Sequence, residues 1–154
     1  HGSAMIGSMS IETSNTSELV IDGTAAAVLE VLTDLERLPA WNPAFTHVGP
    51  AREDGVHRLT VQHVLNGTIR ATVNDGHESA FAEFDIAIPG LRERSVFMVE
   101  PHSNETTRAI HRVEQRGPLA AVIGRREATL VPGKRLARLA NVVEGRDPHA
   151  ARAV

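Results

Sequence analysis

Two histidines, His63 and His111, lie in segments whose apolar and polar residues alternate. Alternation of this kind is typical of β-strands, in which successive side chains point to opposite faces. The apolar-side neighbours are Leu59, Val61 and Leu65 for His63, and Ala109, Val113 and Gln115 for His111. An imidazole that faces an apolar interior can stay neutral near pH 7 and accept or donate a proton. Both histidines are therefore candidates for acid–base catalysis.

Each histidine also has a purely structural interpretation, because a buried imidazole can simply hydrogen-bond to a backbone carbonyl. A metal site is not expected, since His57 and His63 have opposite expected environments and no carboxylate completes a ligand triad. The sequence also lacks glycine-rich nucleotide motifs and a Gly-x-Ser-x-Gly elbow. We therefore expect neither a metal nor another cofactor.

The composition limits the classes of protein further. The chain has 154 residues, no cysteine and a formal net charge of -3, which indicates one domain and argues against a nucleic-acid partner. Because the chain has no cysteine, disulfides, thiolate zinc sites and cysteine nucleophiles are excluded. With four Phe, one Trp and no Tyr, the 42% hydrophobic fraction is mostly aliphatic. Such residues suit a core or an apolar cavity.

The two ends of the chain are expected to lie outside the folded domain. Residues 1–8 resemble the remnant of a cleaved expression tag, and we expect Met9 to be the first residue of the natural chain. No segment approaches the roughly 18 consecutive apolar residues of a membrane span, and no secretion signal follows Met9. We expect a cytoplasmic protein with a single domain over 9–145 and a frayed tail over 146–154. A homodimer is compatible with the sequence.

The residue pattern predicts a strand, two short helices, six more strands and a long helix. The strands are predicted over 12–21, 45–52, 56–65, 68–75, 79–88, 93–100 and 106–116, and the short helices over 25–32 and 35–38. Thr24 is the expected N-cap of the first helix, and Asn66-Gly67 has the composition of a two-residue hairpin turn. After Pro118 the helical period returns, and Val131-Pro132-Gly133 predicts a kink or break in the final helix.

Two segments resemble the START-like superfamily, also called the SRPBCC or polyketide cyclase/lipid transport superfamily. They are LTDLERLPAWNP at 32–43 and RAIHRVEQRGPL at 108–119, within a resemblance that covers residues 17–145. It implies an α+β helix-grip fold, in which a seven-stranded curved antiparallel sheet surrounds a long C-terminal helix and two short helices follow the first strand. A cavity is expected between sheet and helix.

The alternation of side chains between the two faces of each strand, together with this fold, predicts the residues that line the cavity. They are Trp41, Leu59, Val61, Ala71, Phe84, Phe97, Val113 and Ile123. We expect Trp41 to act mainly as a packing plug at the pocket entrance, with a platform for the ligand as the alternative.

The superfamily contains aromatase/cyclases, lipid carriers, hormone receptors and chaperone activators, so the resemblance leaves several functions open. The leading hypothesis is a protein that binds a hydrophobic, partly oxygenated small molecule, as a cofactor-free polyketide cyclase or dehydratase of bacterial secondary metabolism. His63 and His111 would then move protons on a poly-β-carbonyl substrate.

Two further hypotheses share the same fold. A non-catalytic lipid or small-molecule carrier or sensor would use the same cavity, with Pro132-Gly133 as the hinge of a lid. A protein-interaction module would have a closed interior and an exposed apolar patch. A cavity of a few hundred Å³, roughly the scale of ligand pockets, would favour small-molecule binding, and a collapsed interior would favour the module.

Overall fold

The computed structural model describes residues 11–76 and 79–152, so the predicted tag remnant over 1–8 lies outside the described residues. The described chain contains seven strands, three helices and one 3-10 turn. In order they are β1 (Ile11–Asp22), α1 (Ala25–Thr33), the 3-10 turn (Leu35–Arg37), α2 (Leu38–Trp41), β2 (Phe45–Ala51), β3 (His57–Val61), β4 (Leu65–Asp75), β5 (Ala80–Ile88), β6 (Leu91–Pro101), β7 (Thr106–Gly117) and α3 (Pro118–Val143).

The strands form one sheet in the order β1-β7-β6-β5-β4-β3-β2, and every neighbouring pair is antiparallel. Strands β2 to β7 follow one another as hairpins, and β1 pairs with β7. The helices cover one face of the sheet, where buried side chains such as Leu32, Ile69 and Leu136 form the core. The α+β helix-grip architecture predicted from the sequence is confirmed.

The first helix begins where the sequence predicts. The Thr24 side chain accepts a hydrogen bond from the backbone N–H of Ala27 at 3.1 Å, which satisfies one of the free donors of the first turn. Val28, Val31 and Leu32 are buried because their spacing places them on one helix face.

The turn between β3 and β4 differs from the prediction. The turn lies at residues 62–64, whereas Asn66 and Gly67 belong to β4. Gly67 has another role, because a Cβ at this position would collide with the carbonyl oxygen of Ala87 on β5. Glycine is therefore needed at residue 67 because the backbones of β4 and β5 approach closely there, and the Asn-Gly pair does not form the turn.

The interruption of α3 is also displaced from its predicted position. Pro132 lies inside the helix, and the residue with non-helical backbone angles is Gly124, with φ 81° and ψ 158°. The prediction of a break at Val131–Gly133 is therefore wrong. Glycine alone reaches this positive φ without a steric cost, which explains why the helix breaks at Gly124.

The C-terminal segment packs against the end of α3. Arg152 donates hydrogen bonds to Glu144 Oε1 at 2.7 Å and to Asn141 Oδ1 at 2.9 Å. Asn141 in turn donates to the carbonyl of Ala150 at 2.9 Å. The expectation of a frayed tail is therefore wrong for residues 146–152, because paired side chains attach them to the helix.

Replacement of Gly67 by Ala is expected to lower the free energy of unfolding by about 1–3 kcal/mol, the usual cost of overpacking. The new Cβ would lie 2.5 Å from Ile88 Cγ2 and closer still to the Ala87 carbonyl. Gly49→Ala is the matched control, since its nearest contact is Arg58 Cβ at 3.8 Å. Urea unfolding measures both variants, and equal losses would contradict the close-approach explanation.

Candidate functional site

The strand register arranges the inward side chains of β1, β7 and β6 in rows. The rows are Thr13, Gln115 and Glu93, then Asn15, Val113 and Ser95, then Ser17, His111 and Phe97. Successive rows are about 7 Å apart, because each strand residue advances the chain by about 3.4 Å. The inner face is therefore polar at one end and becomes aromatic within two rows.

A buried ion pair joins this face to α3. Arg135 on α3 donates from Nη1 to Glu93 Oε2 at 2.6 Å and from Nη2 to Glu93 Oε1 at 3.2 Å. Their side chains are only 13% and 3% exposed. A guanidinium that contacts both carboxylate oxygens fixes the orientation of the pair as well as its charge. The pair therefore attaches α3 to β6.

Two neighbouring side chains complete the hydrogen bonding of Glu93. Ser95 Oγ donates to its Oε2 at 2.6 Å, and Gln115 Nε2 donates to its Oε1 at 2.8 Å. Burial by itself would raise the pKa of Glu93, but the charge of Arg135 and these hydrogen bonds lower the pKa to about 2. Glu93 is therefore ionised at neutral pH.

His111 is fully buried and stacks on Phe97, with ring centroids 3.7 Å apart and an interplanar angle of 8°. Its Nδ1 lies 3.1 Å from the Val96 carbonyl oxygen, so the neutral ring donates from Nδ1 and keeps Nε2 as an acceptor. Burial, and then the positive charge of Arg135, lower the pKa of His111 to about 3. The ring is therefore neutral over the physiological pH range.

Aromatic rings close the space beyond His111. Trp41 meets Phe97 edge-on at 5.7 Å between centroids, and Phe84 lies at the same distance from Phe97. The gap between these rings and Arg135 has no room for a water-sized molecule. The interior is therefore closed at the position where the sequence predicts a cavity.

Four buried polar atoms on the inner side have no hydrogen-bond partner among the described residues. They are Thr13 Oγ1, Trp41 Nε1, His111 Nε2 and Gln115 Oε1. A buried polar atom without a partner costs about 1–3 kcal/mol, and buried polar groups in folded proteins are rarely left this way. This concentration of unpaired atoms identifies the inner face as the candidate functional site.

His63 lies elsewhere, so the expectation that it points inward is wrong. The side chain is exposed in the β3–β4 turn, where His63 has a φ of 65°. The alternation of inward and outward side chains does not extend to His63, because β3 ends at Val61. The structure therefore does not bring His63 and His111 to a common site, although His111 is buried as its strand pattern predicts.

The predicted lining residues are nearly all on the inner side. Buried members are Trp41, Leu59, Val61, Phe84, Phe97 and Val113, and half-buried members are Ala71 and Ile123. Trp41, Phe84 and Phe97 line the closed gap. That these residues contact a ligand remains a prediction.

Sequence reasoning missed Glu93, Ser95 and Arg135. Glu93 and Ser95 share strand parity with Phe97, so extending the alternation of β6 to polar positions would have placed them inside. No local pattern distinguishes Arg135 from the other basic residues of α3.

The described ranges contain no group of three or more His, Asp or Glu side chains arranged to hold a metal ion. Among the helices described here, none is both long and apolar enough to cross a membrane.

Comparison with solved structures identifies the fold. A START superfamily protein from Mycobacterium smegmatis matches with a TM-score of 0.60 and 18% identity, over 87% of this chain and 96% of that one. The ZhuI aromatase/cyclase from Streptomyces sp. R1128 matches with a TM-score of 0.62 and 16% identity, over 86% and 96%. Truncated norcoclaurine synthase from Thalictrum flavum matches with a TM-score of 0.61 and 14% identity, over 87% and 94%.

No protein-family profile matches the chain, and no curated protein matches it significantly. The structural matches therefore identify the fold alone. The chain has the START-like helix-grip fold, as the resemblance in its sequence implies.

Replacement of Arg135 by Met is expected to lower the free energy of unfolding at pH 7 by about 3–5 kcal/mol, because Glu93 would remain as an unpaired buried charge. The double variant Glu93→Leu/Arg135→Met removes both charges and should recover most of this loss. Urea unfolding measures both variants. A double variant no more stable than Arg135→Met would contradict this account of the ion pair.

Two pH intervals should separate the contributions of His111 and Glu93. Folding lowers the pKa of His111 from 6.5 to about 3, and the pKa of Glu93 from 4.5 to about 2. The unfolded chain therefore takes up each proton first as the pH falls, and stability is lost by up to about 1.4 kcal/mol per pH unit and group.

His111→Gln is expected to reduce the loss of stability between pH 6.5 and 4.5, because glutamine does not titrate. Glu93→Gln should change the slope mainly below pH 4.5. Unfolding free energies measured across both intervals test this assignment, and an unchanged slope above pH 4.5 in His111→Gln would contradict it.

Proposed function

We propose that the protein binds a small apolar molecule that carries hydroxyl and carbonyl groups, on the inner face of the sheet under α3. The observation that supports this proposal is the set of four buried polar atoms without partners. A ligand that supplied their missing hydrogen bonds would remove the free-energy cost of burying these atoms unpaired.

The chemistry of these atoms indicates which groups the ligand carries. His111 Nε2 and Gln115 Oε1 are acceptors, so they require a donor such as a hydroxyl group. The indole N–H of Trp41 requires an acceptor such as a ketone oxygen. The rings of Phe84 and Phe97 line a gap together with Trp41 and would contact the apolar part of the ligand.

Ligand access requires movement of α3, since the gap is closed. The break at Gly124 separates residues 118–123 from the rest of the helix, and a side chain at Gly124 would meet nothing within 4 Å. This position, and not Pro132-Gly133, is the hinge in our proposal. A movable lid over an apolar site is what a carrier or sensor needs.

Binding without catalysis is the better-supported activity. A general base works best when its pKa is near the working pH, whereas burial and Arg135 lower the pKa of His111 to about 3. Such an imidazole is a good hydrogen-bond acceptor and a weak base. A carrier or sensor of an oxygenated apolar molecule is therefore our first candidate.

A cofactor-free polyketide cyclase or dehydratase of bacterial secondary metabolism is the second candidate. The buried acceptor nitrogen of His111 favours it, and one structural match is an aromatase/cyclase. In this case His111 Nε2 would take a proton from a methylene group between two carbonyls. His63 has no part in this version, because its side chain is exposed in the turn.

The interaction-module hypothesis correctly predicts a closed interior, but it also requires an exposed apolar patch. The large apolar side chains exposed among the described residues are Val20, Val64, Val73, Met98, Val122 and Leu130. They are spread over four secondary-structure elements and one turn, so they do not favour this hypothesis.

A matched pair of ketones tests the binding site. We expect 6-hydroxy-2-acetylnaphthalene to bind about three- to tenfold more tightly than 2-acetylnaphthalene, because its hydroxyl group can donate to His111 Nε2. His111→Phe should abolish this preference while still binding both compounds. His47→Ala, at an exposed position on β2, is the matched control.

Isothermal titration calorimetry measures these affinities, and native mass spectrometry of the purified protein detects any retained small molecule. Absence of binding of either ketone, together with no retained molecule, would contradict the proposed function. Turnover of a linear poly-β-ketone that is lost in His111→Phe would favour the cyclase over the carrier.

A further inference from the structure

A surface groove of about 470 Å³ lies where α3 faces the loop after α2 and the β3–β4 turn. We call it the mouth groove. Its helical wall consists of Glu127, Val131, Lys134, Arg135 and Arg138, and its other wall of Asn42, Pro43, Ala44, Phe45 and Gln62. The helical residues are mostly three or four positions apart, so they share one face of α3.

The mouth groove adjoins the closed interior. Asn42, Phe45 and Arg135 line both the groove and the gap beneath it. The guanidinium carbon of Arg135 lies 5.4 Å from the centroid of the Phe45 ring, and its nitrogens contact Glu93 further inside. A molecule on the inner face that extended past Arg135 would therefore reach the mouth groove.

The positive charges of the groove are not all balanced. Glu93 neutralises Arg135, and Glu127 lies 3.9 Å from Lys134. Arg138 is half-buried, yet the structure shows no hydrogen bond or ion pair from it to any other described residue. Within the described residues the groove therefore contains a cation without a counter-ion, in a chain whose formal net charge is -3.

The opposite wall includes an unusual backbone conformation. Gln62 has a φ of 54°, a conformation that residues other than glycine rarely adopt, and its N–H donates to the Ala44 carbonyl at 2.9 Å. Backbone strain of this kind persists only where the surroundings impose it, and it is common at ligand sites. Gln62 lies on the wall opposite Arg138.

We infer that the mouth groove binds an anionic end group, a carboxylate or a phosphate, of the molecule whose apolar part occupies the interior. Arg138 supplies the counter-ion, because a guanidinium can donate two parallel hydrogen bonds to either anion. The groove volume is within the usual range of ligand pockets, roughly 300–1,000 Å³. This inference rests on the proposed function, and it identifies the ligand as an acidic amphiphile.

Three probes that differ only in their end group test the inference. They are 4-(2-naphthyl)butanoate, 4-(2-naphthyl)butan-1-ol and 4-(2-naphthyl)butyl phosphate. We expect an anionic probe to bind the full chain about tenfold more tightly than the alcohol, as a charged hydrogen bond implies. The better of the two anions then identifies the end group as carboxylate or phosphate.

Arg138→Gln should remove this preference by weakening the anionic probes about tenfold, with a much smaller effect on the alcohol, whereas Arg138→Lys should keep part of the preference. Arg58→Gln is the matched control, because Arg58 is exposed on β3 and does not line the groove. Thermal unfolding of each variant verifies the fold, and calorimetry measures the affinities.

Equal affinities for anions and alcohol in the unchanged protein would overturn the inference and leave the proposed function intact. An Arg138→Gln variant that weakens all three probes equally would also overturn it. If none of the three probes binds the unchanged protein, this inference fails, whereas the proposed function is decided separately by the two ketones and the search for a retained molecule.

Discussion

The ion pair between Glu93 and Arg135 is the constraint on which the inner face depends. It attaches α3 to β6, and it brings a charge into an interior that is mostly aromatic and aliphatic. A buried charge without its partner costs several kcal/mol, so α3 cannot move far unless water or a ligand reaches Glu93. Opening of the site is therefore coupled to this pair, and Arg135 also forms the boundary between the interior and the mouth groove.

The same guanidinium determines what His111 can do. Its positive charge adds to the effect of burial and keeps the imidazole neutral, with Nδ1 directed to the Val96 carbonyl. The remaining nitrogen is then an acceptor that nothing in the described structure satisfies. In our proposal this electrostatic pattern favours hydrogen bonds to hydroxyl and carbonyl groups over abstraction of a proton. The proposed site would therefore select a ligand and not convert it.

Most of the fold could be predicted from local pattern. Alternation and helical periodicity indicated seven strands, two short helices and a long final helix, because burial of one face imposes these periods on the sequence. Two local signals were misleading. Asn66-Gly67 has turn composition but permits a close approach to β5, and Pro132 is accommodated inside α3 while Gly124 interrupts it. At Gly67 the packing against β5 overrides the turn propensity, whereas at Gly124 the conformational freedom of glycine breaks the helix.

The sequence by itself determined the class of fold and the inward position of His111, since both depend on periods within single elements. It could not place His63, because the alternation continues to Leu65 whereas β3 ends at Val61, two residues before His63. Only the tertiary structure decided the pairing of Glu93 with Arg135, which are 42 residues apart on different elements. It also decided which polar atoms remain unpaired and where Arg138 meets the mouth groove, because these depend on how α3 packs over the sheet.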